Sequence, residues 1–277
     1  MQVTIREDRC IGCGACVRDC LRALLRVEAG KARIKEGGAC IACGHCVAVC
    51  PTDAVRLEGR PEEELRPYDP AVCDIPAEQL LSFMKFRRSI RQFKDQPVEE
   101  EKLSILLEAA RYAPTGGNRQ MTRYILLEQE RVELGQLAME SLYHAAARLD
   151  TDPSLKGMEH YREKWLSMYP AWKERGEDGL FFHAPCVLVA VTDPRRSGTG
   201  RVDAALAAAN VELVAHALGL GVCYIGLFTA AAAITPELRR RLALQDGEEV
   251  VATLAMGYPD VRYFRMVNRN PANLTRM

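Results

Sequence analysis

Eight cysteines near the start of the chain form two runs with the same spacing, and they restrict the fold more than any other feature. The first run is Cys10-x2-Cys13-x2-Cys16-x3-Cys20, and the second is Cys40-x2-Cys43-x2-Cys46-x3-Cys50, which Pro51 follows. Each cysteine of the second run lies thirty residues after its counterpart in the first. The segment is therefore an internal repeat in which each half supplies four thiols.

Thiols at this density indicate bound metal. The first residues, MQVTIREDRC, contain no basic region followed by an apolar core, so they do not read as an export signal. In a reducing compartment, the 11 cysteines of the chain are better explained as metal ligands than as disulfides. Zinc is the alternative to iron, but structural zinc sites usually separate two C-x2-C pairs by a dozen or more residues. Three cysteines at steps of three, found twice, favour iron–sulfur clusters.

Residues 1 to about 60 resemble a bacterial-type two-cluster ferredoxin. In that arrangement the fourth cysteine of each run binds the cluster of the other run. The resemblance implies two [4Fe-4S] clusters, one held by Cys10, Cys13, Cys16 and Cys50 and the other by Cys20, Cys40, Cys43 and Cys46. Leu21 departs from the pattern, because it stands where the second run has Pro51. Such a domain transfers single electrons and performs no bond chemistry by itself.

The charge balance argues against nucleic acid and membrane partners. Lys+Arg and Asp+Glu number 37 each, so the chain has no overall positive field that would attract polyanions. The most apolar stretches, about 204–220 and 222–234, are interrupted by polar residues or are too short to span a bilayer. We therefore expect no nucleic-acid partner, no membrane association and a cytoplasmic location.

The pattern of the chain changes after the repeat. Residues 61–76 are predicted to form a linker, since this region is rich in proline and charge. Helical periodicity then appears at 77–86 and 98–113, and strand-like runs appear at 122–128, 186–192, 222–228 and 249–258. These elements predict a layered α/β domain over residues 77–277. A helix near 201–221 is apolar on nearly every face, which predicts burial on all sides in a core or a subunit interface.

Three stretches of this second region carry side chains that could bind a ligand. They are FRRSIRQF (86–93), APTGGNRQ (113–120) and GYPDVRYFRMVNRNP (257–271). Arginine suits phosphate because its planar fork donates two hydrogen bonds and stays charged. Neither G-x-G-x-x-G after a strand nor G-x-x-x-x-G-K-[ST] occurs, so a dinucleotide held in a Rossmann domain is not supported.

In order and spacing, the motifs resemble those of the FMN-dependent nitroreductase family. The series is R-R-S-x-R-x-F, A-P-[ST]-x-x-N-x-Q, G-L-G-x-C-x-I-G, M-G-Y-P and a terminal Arg-x-Pro, over about residues 77–277. The resemblance implies a homodimer with FMN at the subunit interface. It also implies the FMN contacts, by position: Arg87, Arg88, Ser89, Arg91, Arg265 and Arg269 from one subunit, Pro114, Thr115, Gly116 and Asn118 from the other, and Gly226 and Leu227 beneath the isoalloxazine.

Together the two resemblances predict an α+β protein. A small two-cluster ferredoxin-like domain would precede a nitroreductase-like three-layer α/β domain with a mixed central sheet. An insertion at about 151–180 places Tyr161, Trp165, Tyr169 and Trp172 near helical spacing. These side chains either cover the flavin or form the packed face of two helices.

The predicted activity follows from joining the two parts. Clusters exchange one electron at a time, whereas a flavin exchanges one or two. We expect an FMN- and iron–sulfur-dependent oxidoreductase that reduces a small organic acceptor, such as a nitroaromatic, quinone, enone or halogenated aromatic. A ferredoxin or another redox protein would be the donor. Two alternatives stay open: an electron-transfer protein that serves a partner protein without a small substrate, and clusters that are only structural.

Overall fold

The computed structural model describes residues 3–277, apart from the side chain of Ser154, and divides the chain into two compact units. The first unit contains the chain through Asp74 together with Gly117–Arg119. The second contains Ile75–Gly116 and the chain from Gln120 onward. Each unit has its own buried core.

The first unit is built from short elements that follow the repeat. In chain order they are β1 (Val3–Ile5), α1 (Ala15–Arg18), β2 (Leu25–Glu28), β3 (Lys31–Ile34), α2 (His45–Ala48), β4 (Val55–Leu57), a 3-10 turn (Glu62–Glu64) and α3 (Pro70–Cys73). Strand β1 pairs antiparallel with β4, and β2 pairs antiparallel with β3. Each two-stranded sheet therefore takes one strand from each half of the repeat, which interlocks the halves.

The cysteine loops repeat the same backbone conformation. Gly14 precedes α1 with φ 72°, and Gly44 precedes α2 with φ 78°. This left-handed region is open to glycine and disfavoured for most other residues. The core of the unit is small and includes the side chains of Cys10, Cys16 and Cys46. Because so few apolar groups are buried, bound metal is expected to contribute to the folding of this unit.

The second unit contains longer elements. They are α4 (Ala77–Phe86), α5 (Glu100–Arg111), β5 (Arg123–Leu127), α6 (Arg131–Ala145), α7 (Arg162–Arg175), β6 (Cys186–Thr192), α8 (Gly200–Ala217), β7 (Gly221–Tyr224), α9 (Gly226–Ile234), α10 (Pro236–Arg241) and β8 (Glu249–Gly257). Short 3-10 turns lie at Gly116–Asn118, Ala146–Arg148, Pro153–Leu155 and Glu159–Tyr161. The strand predicted at 222–228 is wrong in its second half, because β7 ends at Tyr224 and α9 begins at Gly226.

A four-stranded sheet forms the centre of the second unit, with strand order β5-β6-β8-β7. The ladders between these strands are antiparallel. An isolated bridge between Ser89 and Val222 adds the parallel component. The predicted α+β architecture with a layered second domain is confirmed.

Strand β6 shows why its sequence is continuously apolar. All seven of its residues are buried. Val187, Val189 and Val191 belong to the core on the side of α6, α7, α9 and α10, whereas Leu188 and Ala190 belong to the core on the side of α5 and α8. Since helices cover both faces of the sheet, neither set of alternate residues needs to be polar.

Within the single chain, helix α8 is buried on one face only, so burial of its other face in a subunit interface stays a prediction. One face packs in the core through small residues such as Ala204, Ala207 and Ala208. On the other side, Val202 is 59% exposed and Leu206 is 40% exposed. The helix therefore presents apolar side chains to the outside of its own subunit. Over residues 3–277, no helix is both long enough and apolar enough to cross a bilayer.

Helix α7, from the predicted insertion, packs on α6. Trp165 is fully buried in the core, and the Tyr169 hydroxyl donates a hydrogen bond of 2.6 Å to Glu140 on α6. Tyr161 remains 41% exposed. Of the two interpretations of this segment, the structure favours the packed face for Trp165 and Tyr169.

Candidate functional site

Four thiols from both runs line one small cavity in the first unit. They are the thiols of Cys10, Cys13, Cys16 and Cys50. The other residues around this cavity are glycines, small or apolar side chains and Thr52. Its free volume is only about 10 Å³, so the side chains close tightly around it. Cys10 and Cys13 come from the loop before α1, Cys16 lies in α1 itself, and Cys50 follows the end of α2.

The other four thiols line a larger cavity of about 540 Å³. They are those of Cys20, Cys40, Cys43 and Cys46, and charged residues including Arg22, Lys35 and Glu36 share this wall. The structure thus brings the cysteines together in the two groups that the ferredoxin resemblance implies, and cluster binding by them stays a prediction. In the described part of the chain, no three His, Cys, Asp or Glu side chains converge closely enough to hold a single metal ion.

Backbone amides point at the sulfur atoms of both cavities. The amide of Ala54 donates to Cys50 Sγ over 3.2 Å, and the amide of Leu24 donates to Cys20 Sγ over 3.4 Å. These two bonds occupy equivalent positions in the repeat. Cys10 Sγ and Cys40 Sγ each accept one further backbone amide, over 3.3 Å. Hydrogen bonds of this kind stabilise the charge of cluster sulfurs, so the donor set fits [4Fe-4S] clusters.

Burial changes the pKa of several thiols in these cavities. It raises the pKa of Cys46 to about 11 and also raises the pKa of Cys16. Burial also acts to raise the pKa of Cys50, but hydrogen bonds from Ala54 and Thr52 outweigh it and lower that pKa. A buried thiolate needs a compensating cation, and bound metal supplies one.

The predicted phosphate-binding segment, residues 87–91, lies beside β7. The amide of Ile90 donates to the Val222 carbonyl over 3.0 Å, next to the Ser89–Val222 bridge. Arg87 directly follows α4, and its Nη1 donates to Glu212 Oε1 over 2.6 Å. Arg88 is half-buried, whereas Arg91 is exposed.

Several partly buried ionisable side chains lie near Arg87, and burial shifts the pKa of each. Burial raises the pKa of Glu212, although Arg87 opposes this. Burial likewise raises the pKa of Tyr224 to about 12. Burial and the charge of Arg87 both lower the pKa of His216, whose ring lies 4.7 Å from that of Phe83. Arg87 is therefore the cation that compensates Glu212.

The loop at 113–120 is held by a carboxylate that the sequence analysis missed. The amide of Gly116 donates to Asp203 Oδ1 over 3.1 Å, and Thr199 Oγ1 donates to the same carboxylate over 3.2 Å. Only glycine fits at position 116, since a Cβ there would lie 2.0 Å from Thr199 Oγ1. Asp203 is 4% exposed, and it directly precedes a run of small apolar residues in α8; that contrast is the signal that could have identified it.

The other predicted residues of this loop have separate partners. Thr115 Oγ1 accepts a hydrogen bond of 3.1 Å from the amide of Gln120, and Pro114 is exposed. Within the first unit, Asn118 Nδ2 donates to the carbonyls of Ile41 and Ala42 over 3.0 and 2.9 Å. If Asn118 also contacts the flavin, its side-chain amide must therefore serve both the flavin and these two carbonyls.

The remaining predicted flavin contacts lie at the start of α9 and in the segment after β8. Gly226 and Leu227 begin α9, whose first turn has no side-chain cap. The positive end of the helix dipole suits a partial negative charge. Arg265 and Arg269 are exposed and lie after β8 in a segment without helix or strand. Among the described residues, no ion pair joins either of them to the Arg87 region.

Comparison with known proteins gives two matches along the chain. A sequence model of the nitroreductase family matches residues 84–258, and one of a 4Fe-4S dicluster domain matches residues 9–55. The chain is 27% identical over 194 residues to a chloronitrobenzene nitroreductase from Comamonas testosteroni, covering 63% of this chain and 84% of the relative. It is 26% identical over 191 residues to a 4-nitrobenzoate reductase from Pseudomonas putida, covering 63% and 82%.

Solved structures show the same fold. A nitroreductase with bound FMN from Bacteroides fragilis matches with a TM-score of 0.55 and 22% identity, covering 72% of this chain and 99% of the other. A nitroreductase with bound FMN from Desulfitobacterium hafniense matches with a TM-score of 0.51 and 28% identity, covering 68% and 93%.

Proposed function

The chain belongs to the nitroreductase family, and on that premise we propose that it is an FMN-dependent, iron–sulfur oxidoreductase that reduces a small organic acceptor. One observation carries this proposal: a nitroreductase domain shares its chain with two cavities that are each lined by four thiols. We assign both cavities to a ferredoxin-type domain of residues 1–60. Residues 61–76 would then be a linker, and residues 77–277 would form the flavin domain. The cysteine content also suits the reducing cytoplasm, which cell fractionation would test.

When bound, FMN would supply the exchange between one-electron and two-electron chemistry that the clusters lack. The residues of this chain would bind and orient it. We propose that Arg87, Arg88, Ser89, Arg91, Arg265 and Arg269 address its phosphate and pyrimidine side, that Gly226 and Leu227 support the ring, and that Pro114, Thr115, Gly116 and Asn118 contact the flavin of the other subunit. Fusion of the two domains raises the effective concentration of the electron donor at its acceptor.

The names of the relatives support a nitroaromatic as the first acceptor to test, with quinones, enones and halogenated aromatics next. Protein reduced with dithionite under anaerobic conditions should be reoxidised by at least one of these classes, as followed by flavin and cluster absorbance. If none reoxidises it but a partner redox protein does, the chain is an electron carrier without a small substrate.

Cofactor content gives an independent prediction. Anaerobically purified protein should contain about eight iron and eight sulfide per chain, as two [4Fe-4S] clusters require. Chromatography of the heat-released flavin should identify FMN. Stoichiometric zinc without sulfide would exclude the clusters, and FAD as the main flavin would contradict the assignment of the arginines.

We also propose a homodimer through α8 and its neighbours, with FMN at the interface. Val202 and Leu206 on α8 expose apolar surface, as do Leu80, Leu81 and Met84 on α4. A two-fold interface would cover such surface in both subunits. Sedimentation equilibrium should give twice the chain mass. A monomer that retains FMN would contradict this arrangement.

A further inference from the structure

The ion pair between Arg87 and Glu212 joins the predicted phosphate segment to the middle of α8. The two residues are 125 positions apart, and Nη1 and Oε1 lie 2.6 Å from each other. The side chain of Arg87 is 20% exposed and that of Glu212 is 14% exposed. A carboxylate this far removed from water has to be matched by a cation, because an unpaired charge at such a site is costly.

The geometry of this pair has two opposite effects on the binding of an anion to Arg87. Glu212 engages one terminal nitrogen of the guanidinium and so fixes its orientation. The fork has five N–H donors, and the remaining ones are left for another acceptor. The negative charge of Glu212, however, cancels part of the positive charge that a phosphate would meet. A phosphate monoester carries about −1.5 to −2 charges near neutral pH, so it is repelled by the same carboxylate.

We propose that Glu212 is a positioning residue that anchors Arg87 and, through its charge, limits how tightly the flavin phosphate is held. The inference rests on the proposed function, since it takes Arg87 as a phosphate contact of FMN. Glu212 lies on α8, and its effect on flavin binding is specific for the phosphate and is transmitted through Arg87. A purely structural ion pair would instead affect all flavins alike.

The test compares FMN with riboflavin, which has the same ring system but no phosphate. Full-length protein depleted of flavin is titrated with each ligand, and binding is followed by flavin fluorescence. Glu212→Gln keeps an acceptor for Nη1 and removes the charge, so it should bind FMN on the order of tenfold more tightly. Its affinity for riboflavin should be unchanged. Arg87→Ala should weaken FMN binding, and adding Glu212→Gln to that variant should have no further effect.

Glu212→Asp is the matched control, because it keeps the charge but shortens the reach to Arg87. It should show no gain in FMN affinity. Thermal unfolding of each variant checks that the fold is intact. The proposal is overturned if Glu212→Gln changes FMN and riboflavin affinity equally, if it weakens FMN binding, or if its effect persists without Arg87. A wild-type protein that binds neither flavin would instead contradict the proposed function.

Discussion

Cys50→Ser is expected to abolish the cluster held with Cys10, Cys13 and Cys16, and Cys20→Ser to abolish the other cluster. The expectation follows from the two cavities, each of which takes three thiols from one run and the fourth from the other. Serine is a poor replacement for a thiolate ligand of iron, so each variant should fall from about eight iron atoms per chain to about four.

The same variants test the electron path. Both should retain FMN and its reduction by dithionite, but lose flavin reduction by a reduced ferredoxin. Cys73→Ser is the control, because Cys73 is exposed and lines neither cavity, so iron content and flavin reduction should be unchanged. If Cys50→Ser and Cys20→Ser both reduced acceptor at the wild-type rate with the protein donor, the clusters would be structural.

Trp165→Ala is expected to lower the free energy of unfolding of the second unit by roughly 3–5 kcal/mol. Trp165 has no exposed surface and belongs to the core formed with α6, so its removal leaves a large cavity. Trp165→Phe should cost much less, since it retains an aromatic ring. It also removes an indole N–H that is buried without a hydrogen-bond partner, which offsets part of the lost packing.

Urea unfolding, monitored through the release of the bound flavin, would measure these effects on the second unit. Tyr161→Ala serves as the comparison, because Tyr161 is 41% exposed and should contribute little to stability. The packed-face interpretation is contradicted if Trp165→Ala has wild-type stability but altered turnover of the acceptor. Trp165 would then act as a cover over the flavin.

Local patterns in the sequence were sufficient for much of the architecture. Helix α4 spans the predicted residues, and strand β6 begins and ends where its apolar run does. Such elements are specified by side-chain periodicity, which a chain carries along its own length. The turn after Tyr224 escaped prediction, because the apolar residues of GLFTAAAAI suit a buried helix as well as a strand. Short apolar runs do not distinguish the two by periodicity.

By itself, the sequence determined the two cysteine runs, their thirty-residue repeat and the order of the flavin-family motifs. Only the tertiary structure paired Asp203 with Gly116 and Glu212 with Arg87, across 87 and 125 residues. It also decided which face of α8 is buried. The physical reason is that ligand spacing within a loop is fixed by local backbone geometry. The partner of a buried carboxylate, in contrast, depends on how distant elements pack, and periodicity does not record that.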